Sequence, residues 1–211
     1  MPVNLDNLKY VNQILKPFRD NTDLMAVTKN RSQQDVLVLY ENGIRLFGEN
    51  RVQEAQKKFI NLPTEDYSLH LIGPLQTNKV KDALKLFNCI QTVDRLKLID
   101  EISKFIHKDF VKTTSYFIQI NIGNEEQKAG VLEDSLGSLY QHARSKNLNV
   151  KGLMCIPPAN QDPIPYFQRM NLVRDKLDSQ LTLSMGMSTD YELALSYNTN
   201  LVRLGSILFN D

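Results

Sequence analysis

Eight short apolar runs, separated by amphipathic stretches, set the limits on how this chain can fold. They fall at residues 24–29, 45–50, 68–73, 89–94, 116–121, 150–155, 181–185 and 201–205. Their spacing, roughly 20 to 35 residues, is the length of a strand, a helix and two short loops. Most of the runs are near-continuously apolar rather than alternating. That pattern suits parallel strands whose outer face is covered by helices.

The stretches between them carry helix signals. Ser32 followed by Asp35 resembles a capping box, and Val36, Leu37, Leu39 and Tyr40 then form an apolar face that ends near Gly43. Asp94 is placed to cap a helix whose inner face is Leu96, Leu98, Ile99 and Ile102. Thr189 with Glu192 repeats the capping pattern before Leu193, Ala194 and Leu195. Residues 4–18 read as an additional helix ahead of the first strand, with Leu5, Leu8, Val11, Ile14 and Leu15 on one side and Pro17 stopping it.

Strict alternation of strand and helix gives either an open doubly wound sheet or a closed barrel. Eight repeats favour closure, which predicts one (β/α)8 TIM-type barrel domain over residues 1–211 with an extra N-terminal helix. The open sheet is the alternative.

Charge and composition narrow the functions. The 25 basic and 24 acidic residues nearly balance, which leaves no electrostatic footprint for nucleic acid or an anionic membrane. No apolar run approaches a membrane span, and Met1 to Asp6 lacks the layout of a signal peptide. A cytoplasmic protein is expected. Cys89 and Cys155 lie in strand-like runs and read as core residues of a reducing compartment, not as nucleophiles paired with His70. The three histidines, His70, His107 and His142, show no ligand spacing, so no metal site is expected. Neither a second domain nor an obvious dimer helix is visible, which predicts a monomer.

In both architectures the active groups gather at the C-terminal ends of the strands. There the sequence places Lys29, then Gly48-Glu49-Asn50, Gly73, Asp94, Asn121, Cys155-Ile156-Pro157, Ser184-Met185-Gly186 and Arg203-Leu204-Gly205-Ser206. A lysine at the mouth of an apolar strand is shielded from water, which favours the free amine and Schiff-base chemistry. Taken alone, Lys29 also reads as a lysine snorkelling at a strand end. Gly205-Ser206 can turn backbone N–H groups inward, where barrels commonly hold phosphate. Taken alone, the pair also reads as a simple turn, Arg203 as a structural ion-pair member, and Asn50 as a helix cap for residues 51–59. Together the amine and the anion cradle suit a phosphorylated aldehyde. Pyridoxal 5′-phosphate (PLP) fits that description, and so does a sugar-phosphate aldolase substrate.

The segments Ala26-Val27-Thr28-Lys29, Phe47-Gly48-Glu49-Asn50-Arg51-Val52-Gln53-Glu54, His70-Leu71-Ile72-Gly73-Pro74-Leu75-Gln76-Thr77-Asn78-Lys79, Ser184-Met185-Gly186-Met187-Ser188-Thr189-Asp190 and Val202-Arg203-Leu204-Gly205-Ser206 resemble the pyridoxal phosphate homeostasis protein family. The match runs in order from Leu24 to Phe209. It departs at the tail, where Phe209-Asn210-Asp211 stands in place of a phenylalanine followed by glycine.

The resemblance implies a barrel similar to that of alanine racemase, with PLP held as a Schiff base. Lys29 matches the PLP lysine, while Ser184, Gly205 and Ser206 match phosphate-binding positions. Arg203 matches the arginine near the pyridine nitrogen, and Asn50 matches an asparagine beside the cofactor. Ser188 is a further candidate for the phosphate shell. Lys128 falls in a segment the family also shows and is assigned no contact.

An arginine at the pyridine disfavours the protonated ring on which strong electron withdrawal depends. Racemases of this barrel add a second base from another domain, and a chain stopping at Asp211 is expected to leave no room for one. The implied function is a PLP-binding protein without catalysis of its own. It would hold the cofactor reversibly, act in vitamin B6 homeostasis and pass PLP to apo PLP-dependent enzymes. The alternative is a racemase or decarboxylase of the same barrel type, with His70 or Asp94 as its acid or base. A Schiff-base aldolase that needs no PLP is a third reading.

Overall fold

The computed structural model describes residues 2–59, 62 and 66–210, so the outermost positions of the predicted domain, 1 and 211, lie outside it. Eight parallel strands close into one barrel, each pairing with its sequence neighbour and the last with the first. They are β1 Asp23–Val27, β2 Leu46–Glu49, β3 Ser68–Leu71, β4 Cys89–Val93, β5 Ser115–Ile120, β6 Val150–Cys155, β7 Thr182–Met187 and β8 Leu201–Leu204. The closed barrel, not the open sheet, is the architecture. The runs were apolar because both faces are buried, one toward the lumen and one toward the helices.

The helices are α1 Leu5–Leu15, α2 Gln33–Glu41, α3 Val52–Phe59, α4 Val80–Leu86, α5 Leu96–Ser103, α6 Glu133–Ser145, α7 Ile164–Leu177 and α8 Tyr191–Leu195. Most of the core lies between them and the outer face of the barrel, with Phe47, Leu69, Leu71, Leu98 and Phe167 fully enclosed. The extra N-terminal helix is α1, which buries Leu8, Val11 and Leu15 and passes at Lys16–Phe18 into a 3-10 turn containing Pro17. It braces the turn after β8, because Asn4 N–H donates to Leu208 O and Asn7 Nδ2 to Ile207 O, both at 2.9 Å.

The capping box of α2 is present, with Ser32 Oγ accepting from Asp35 N–H and the Asp35 carboxylate accepting from Ser32 N–H. Two expected caps are not. Arg95 occupies the cap position of α5, and its guanidinium holds the Asp94 carboxylate at 2.5 Å. Asp190, rather than Thr189, caps α8 by position, while its carboxylate accepts Met187 N–H at 2.6 Å. At α5 a neighbouring guanidinium captured the side chain that local sequence offered to the helix, and at α8 the helix starts one residue later than the sequence pattern placed it.

Candidate cofactor site

The C-terminal strand ends enclose a cavity of about 350 Å³, within the range of roughly 300–1,000 Å³ usual for small-ligand sites. Lys29, Asn50, Arg203, Gly205 and Ser206 line it together, with Ser188 and Thr189 beside them. Val27, Ile72, Ile156 and Met187 supply apolar walls. These four sit at strand ends or one residue beyond them.

Lys29 is not the last residue of a strand, as the sequence suggested. β1 stops at Val27, and Arg31 N–H closes a turn on Thr28 O at 3.0 Å, so Lys29 and Asn30 are the central pair of that turn. Asn30 takes φ 58°, a left-handed conformation that asparagine tolerates. The Lys29 side chain is exposed on the cavity rim instead of being shielded by the strand.

Behind this turn lies a buried ionic cluster that sequence reasoning missed. Lys58 Nζ donates to Thr28 O at 2.5 Å, Glu49 Oε1 at 2.6 Å and Glu54 Oε1 at 3.0 Å. Thr28 Oγ1 donates to Glu49 Oε1 at 2.6 Å, and Asn30 N–H donates to Glu54 Oε1. Both residues that flank Lys29 are thereby held. Burial pushes the Glu49 carboxyl above its ordinary value despite hydrogen bonds from Lys58 and Thr28. Burial also acts upward on Glu54, but hydrogen bonds from Lys58 and from Asn30 N–H bring it below its ordinary value.

Asn50 follows β2 and meets Gly73 at the end of β3. A Cβ on Gly73 would stand 2.2 Å from Asn50 O, so only glycine permits this approach.

Arg203 is 4% exposed. Its Nη1 donates to Ser184 Oγ at 2.8 Å and its Nη2 to Cys155 O at 2.7 Å. No carboxylate hydrogen-bonds it among the described residues. Burial lowers its pKa from the ordinary value, yet a guanidinium that starts so high remains cationic.

The phosphate-type corner depends on an irregularity in β7. Ser184 pairs with Leu201 but Met187 with Arg203, so the register shifts between them. Gly186, at φ +92°, sits in this bulge, where a Cβ would lie 2.7 Å from the Ala194 methyl. Beyond it, Ser188 reaches the cavity, and its Oγ accepts N–H groups from Gly205 at 3.1 Å and Ile207 at 3.4 Å. Converging backbone N–H groups of this kind receive anions, and here an anion would take the place of Ser188 Oγ as their acceptor.

Ser184 is set apart from the other predicted site residues. It is fully buried one layer below the mouth, does not line the cavity, and donates its hydroxyl proton to Gln91 Oε1 at 2.7 Å. The two candidate acid–base residues are also elsewhere. His70 lines a cavity at the opposite, N-terminal end of the barrel, and burial pulls its pKa down to about 4. Asp94 is tied to Arg95 and does not line the mouth cavity. Lys128 bonds Pro157 O at 3.1 Å and Glu125 at 2.5 Å, outside that lining. Cys89 and Cys155 are buried and unpaired, and burial pushes both thiols up to about 12.

Residues 3–211 match the alanine racemase N-terminal domain family. A pyridoxal phosphate homeostasis protein of Aquifex aeolicus is 37% identical over 197 residues, which covers 89% of this chain and 86% of that protein. The structure of PipY from Synechococcus elongatus with PLP bound superimposes with a TM-score of 0.79 at 29% identity, over 95% of this chain and 100% of that one. Alanine racemase of Clostridium difficile shares the fold alone, at 17% identity and a TM-score of 0.80 over 100% of this chain and 58% of its own. The chain belongs to the pyridoxal phosphate homeostasis protein family, built on the N-terminal barrel that alanine racemase also uses.

Proposed function

We propose that this protein binds PLP in the mouth cavity, holds it reversibly through the Lys29 amine, and serves intracellular PLP homeostasis by releasing the cofactor to apo-enzymes. The reading treats the whole barrel as one binding unit that acts as a cytoplasmic monomer. Among the described residues no helix is long and apolar enough to cross a membrane.

The residues present fit the group. Lys29 offers a nucleophilic nitrogen, and Ser188 with the Gly205 and Ile207 N–H groups offers an anion corner. Ser206 and Gly205 line the same side, Asn50 stands by the amine's side of the rim, and Ile156, Ile72 and Met187 give a planar ring apolar surfaces. When bound, PLP supplies an aldehyde carbon and a pyridine ring that withdraws electrons strongly only if protonated. Arg203 presents a buried permanent cation to the cavity floor, and such a neighbour opposes protonation of that ring. Ser184 serves this arginine as a hydrogen-bond acceptor and stands outside the phosphate shell in this reading.

One observation favours a carrier over a racemase or decarboxylase: the described side chains lining the cavity include two ionisable groups, Lys29 and Arg203, and neither His70 nor Asp94 is one of them. Among the described residues no second base then lines the cavity to exchange a proton on a bound amino acid. The test is to incubate the PLP-loaded protein with L-amino acids in heavy water and follow the α-proton. The carrier reading expects no exchange above free PLP and transfer of PLP to an added apo-enzyme. Rapid exchange would replace it with the racemase reading.

A further inference from the structure

TIM-type barrel interiors are ordinarily filled by layers of bulky apolar side chains. This one is crossed by polar groups. Gln91, on β4, and Ser184, on β7, stand three strands apart around the barrel and are both fully buried, yet Ser184 Oγ reaches Gln91 Oε1 across the lumen at 2.7 Å. Gln91 Nε2 continues to His70 Nδ1 at 2.9 Å, and Ser184 accepts from Arg203 Nη1 at 2.8 Å. The chain therefore runs from the cavity at the N-terminal end, which His70 lines, to the mouth cavity, which Arg203 lines.

Its direction is fixed at one end. Arginine has donors and no acceptor, so Ser184 must accept from it and spend its single proton on the Gln91 carbonyl oxygen. The Gln91 amide nitrogen can then only donate, which requires His70 Nδ1 to be unprotonated and its proton to sit on Nε2. Every polar atom of Gln91 is used. A network satisfied in this way locks its members into one arrangement, whereas a single missing partner leaves a buried group unpaired. The depressed pKa of His70, about 4 through burial, keeps the ring in the neutral form that this arrangement needs.

We propose that Gln91 and His70 are positioning residues for the cofactor: acting through Ser184, they hold the Arg203 guanidinium in the orientation it presents to the PLP ring. The proposal rests on the PLP-binding reading and touches the cofactor through Arg203 alone. It assigns a task to the His70 of the family-like motif that the acid–base reading had placed at the mouth.

Two measurements test it. In the apo-protein with ¹⁵N-labelled histidine, nuclear magnetic resonance is expected to find His70 neutral and protonated on Nε2 at pH 7. Its Nδ1 signal should move toward a free acceptor in Gln91→Met. Protonation on Nδ1 in the wild type would overturn the relay whether or not PLP binds. In the second, PLP absorption spectra and affinities are compared for wild type, Gln91→Met, His70→Leu and His70→Asn, alongside thermal midpoints. Gln91→Met and His70→Leu should bind PLP roughly tenfold more weakly with a displaced band, as losses of outer supporting groups commonly do. His70→Asn restores an acceptor near the Nδ1 position and should return the band toward wild type. Lowered thermal midpoints with unchanged band and affinity would make the relay purely structural and overturn the proposal. If Gln91→Met fails to fold, the contrast between His70→Leu and His70→Asn decides. A wild-type protein that binds no PLP would instead remove the functional reading on which the second measurement depends.

Discussion

Lys58 Nζ donates to the Thr28 carbonyl oxygen at 2.5 Å, one residue ahead of the lysine that faces the cavity. Lys58 itself is 7% exposed and pairs with Glu49, which is fully buried. The exposed amine of Lys29 thus stands on a turn whose base is anchored inside the protein. The buried charges fix the turn rather than the amine, so the nitrogen can leave and rejoin a ligand while its backbone stays in place.

Replacing Lys58 by methionine leaves Glu49 as a buried charge without its partner, and such losses cost about 3–5 kcal/mol. Urea unfolding should register a destabilisation of this size, with slower trapping of PLP on Lys29. Adding Glu49→Gln to the same variant removes the stranded charge and should recover a large part of the stability. Recovery of none would mean that the cluster acts through packing alone.

Gly73→Ala tests the contact between strand ends. The new methyl would meet Asn50 O at 2.2 Å, so the backbone must shift, at a cost of about 1–3 kcal/mol. PLP affinity should fall with stability, because Asn50 is the residue displaced. A variant that loses neither would show that the β2 and β3 ends are looser than this contact implies.

The two serines of the Ser-Met-Gly-Met-Ser run should separate by ligand. Ser188→Ala is expected to weaken PLP by several-fold while leaving pyridoxal, which has no phosphate, nearly unaffected. Ser184→Ala should alter the absorption band with both ligands, since its hydroxyl meets Arg203. Equal losses for the two ligands in Ser188→Ala would place the phosphate elsewhere.

His70 gives the pH dependence a sign. Burial lowers its folded pKa from 6.5 to about 4, so between these values the unfolded chain holds a proton that the folded one does not. Its contribution is complete above pH 6.5 and is lost as pH falls toward 4, by an amount on the order of 2–3 kcal/mol. Urea titrations of the apo-protein at several pH values should show a shallower slope for His70→Asn across this window. Parallel slopes for the two proteins would show that His70 titrates normally.

The barrel was legible because strands buried on both faces leave eight apolar runs, and the capping box at Ser32 was legible because its partner lies three residues away. The depth of a side chain in the lumen was not. Ser184 and Ser188 both belong to the strand-end motif, but the bulge at Gly186 and the pairing of Met187 with Arg203 decide which of them reaches the cavity. Lys58 reads as an ordinary helix-surface lysine, since nothing in α3 announces that a carboxylate on β2 will receive it. Gln91 and His70 are likewise polar residues in strands, and only barrel closure brings β4 across to β7. Lys29 was found by its place after an apolar run, but the turn that carries it depends on Arg31 N–H bonding back to Thr28.

The most direct measurement is to titrate the apo-protein with PLP, reduce with borohydride and map the labelled peptide. A single pyridoxyl group on Lys29 is predicted, and Lys29→Ala should lose it together with the absorption band. Because Lys29 is exposed, that variant should keep its stability within about 0.5 kcal/mol. A label on Lys58 or Lys128 with Lys29 unmodified, or full stoichiometric binding by Lys29→Ala with the same band, would contradict the account.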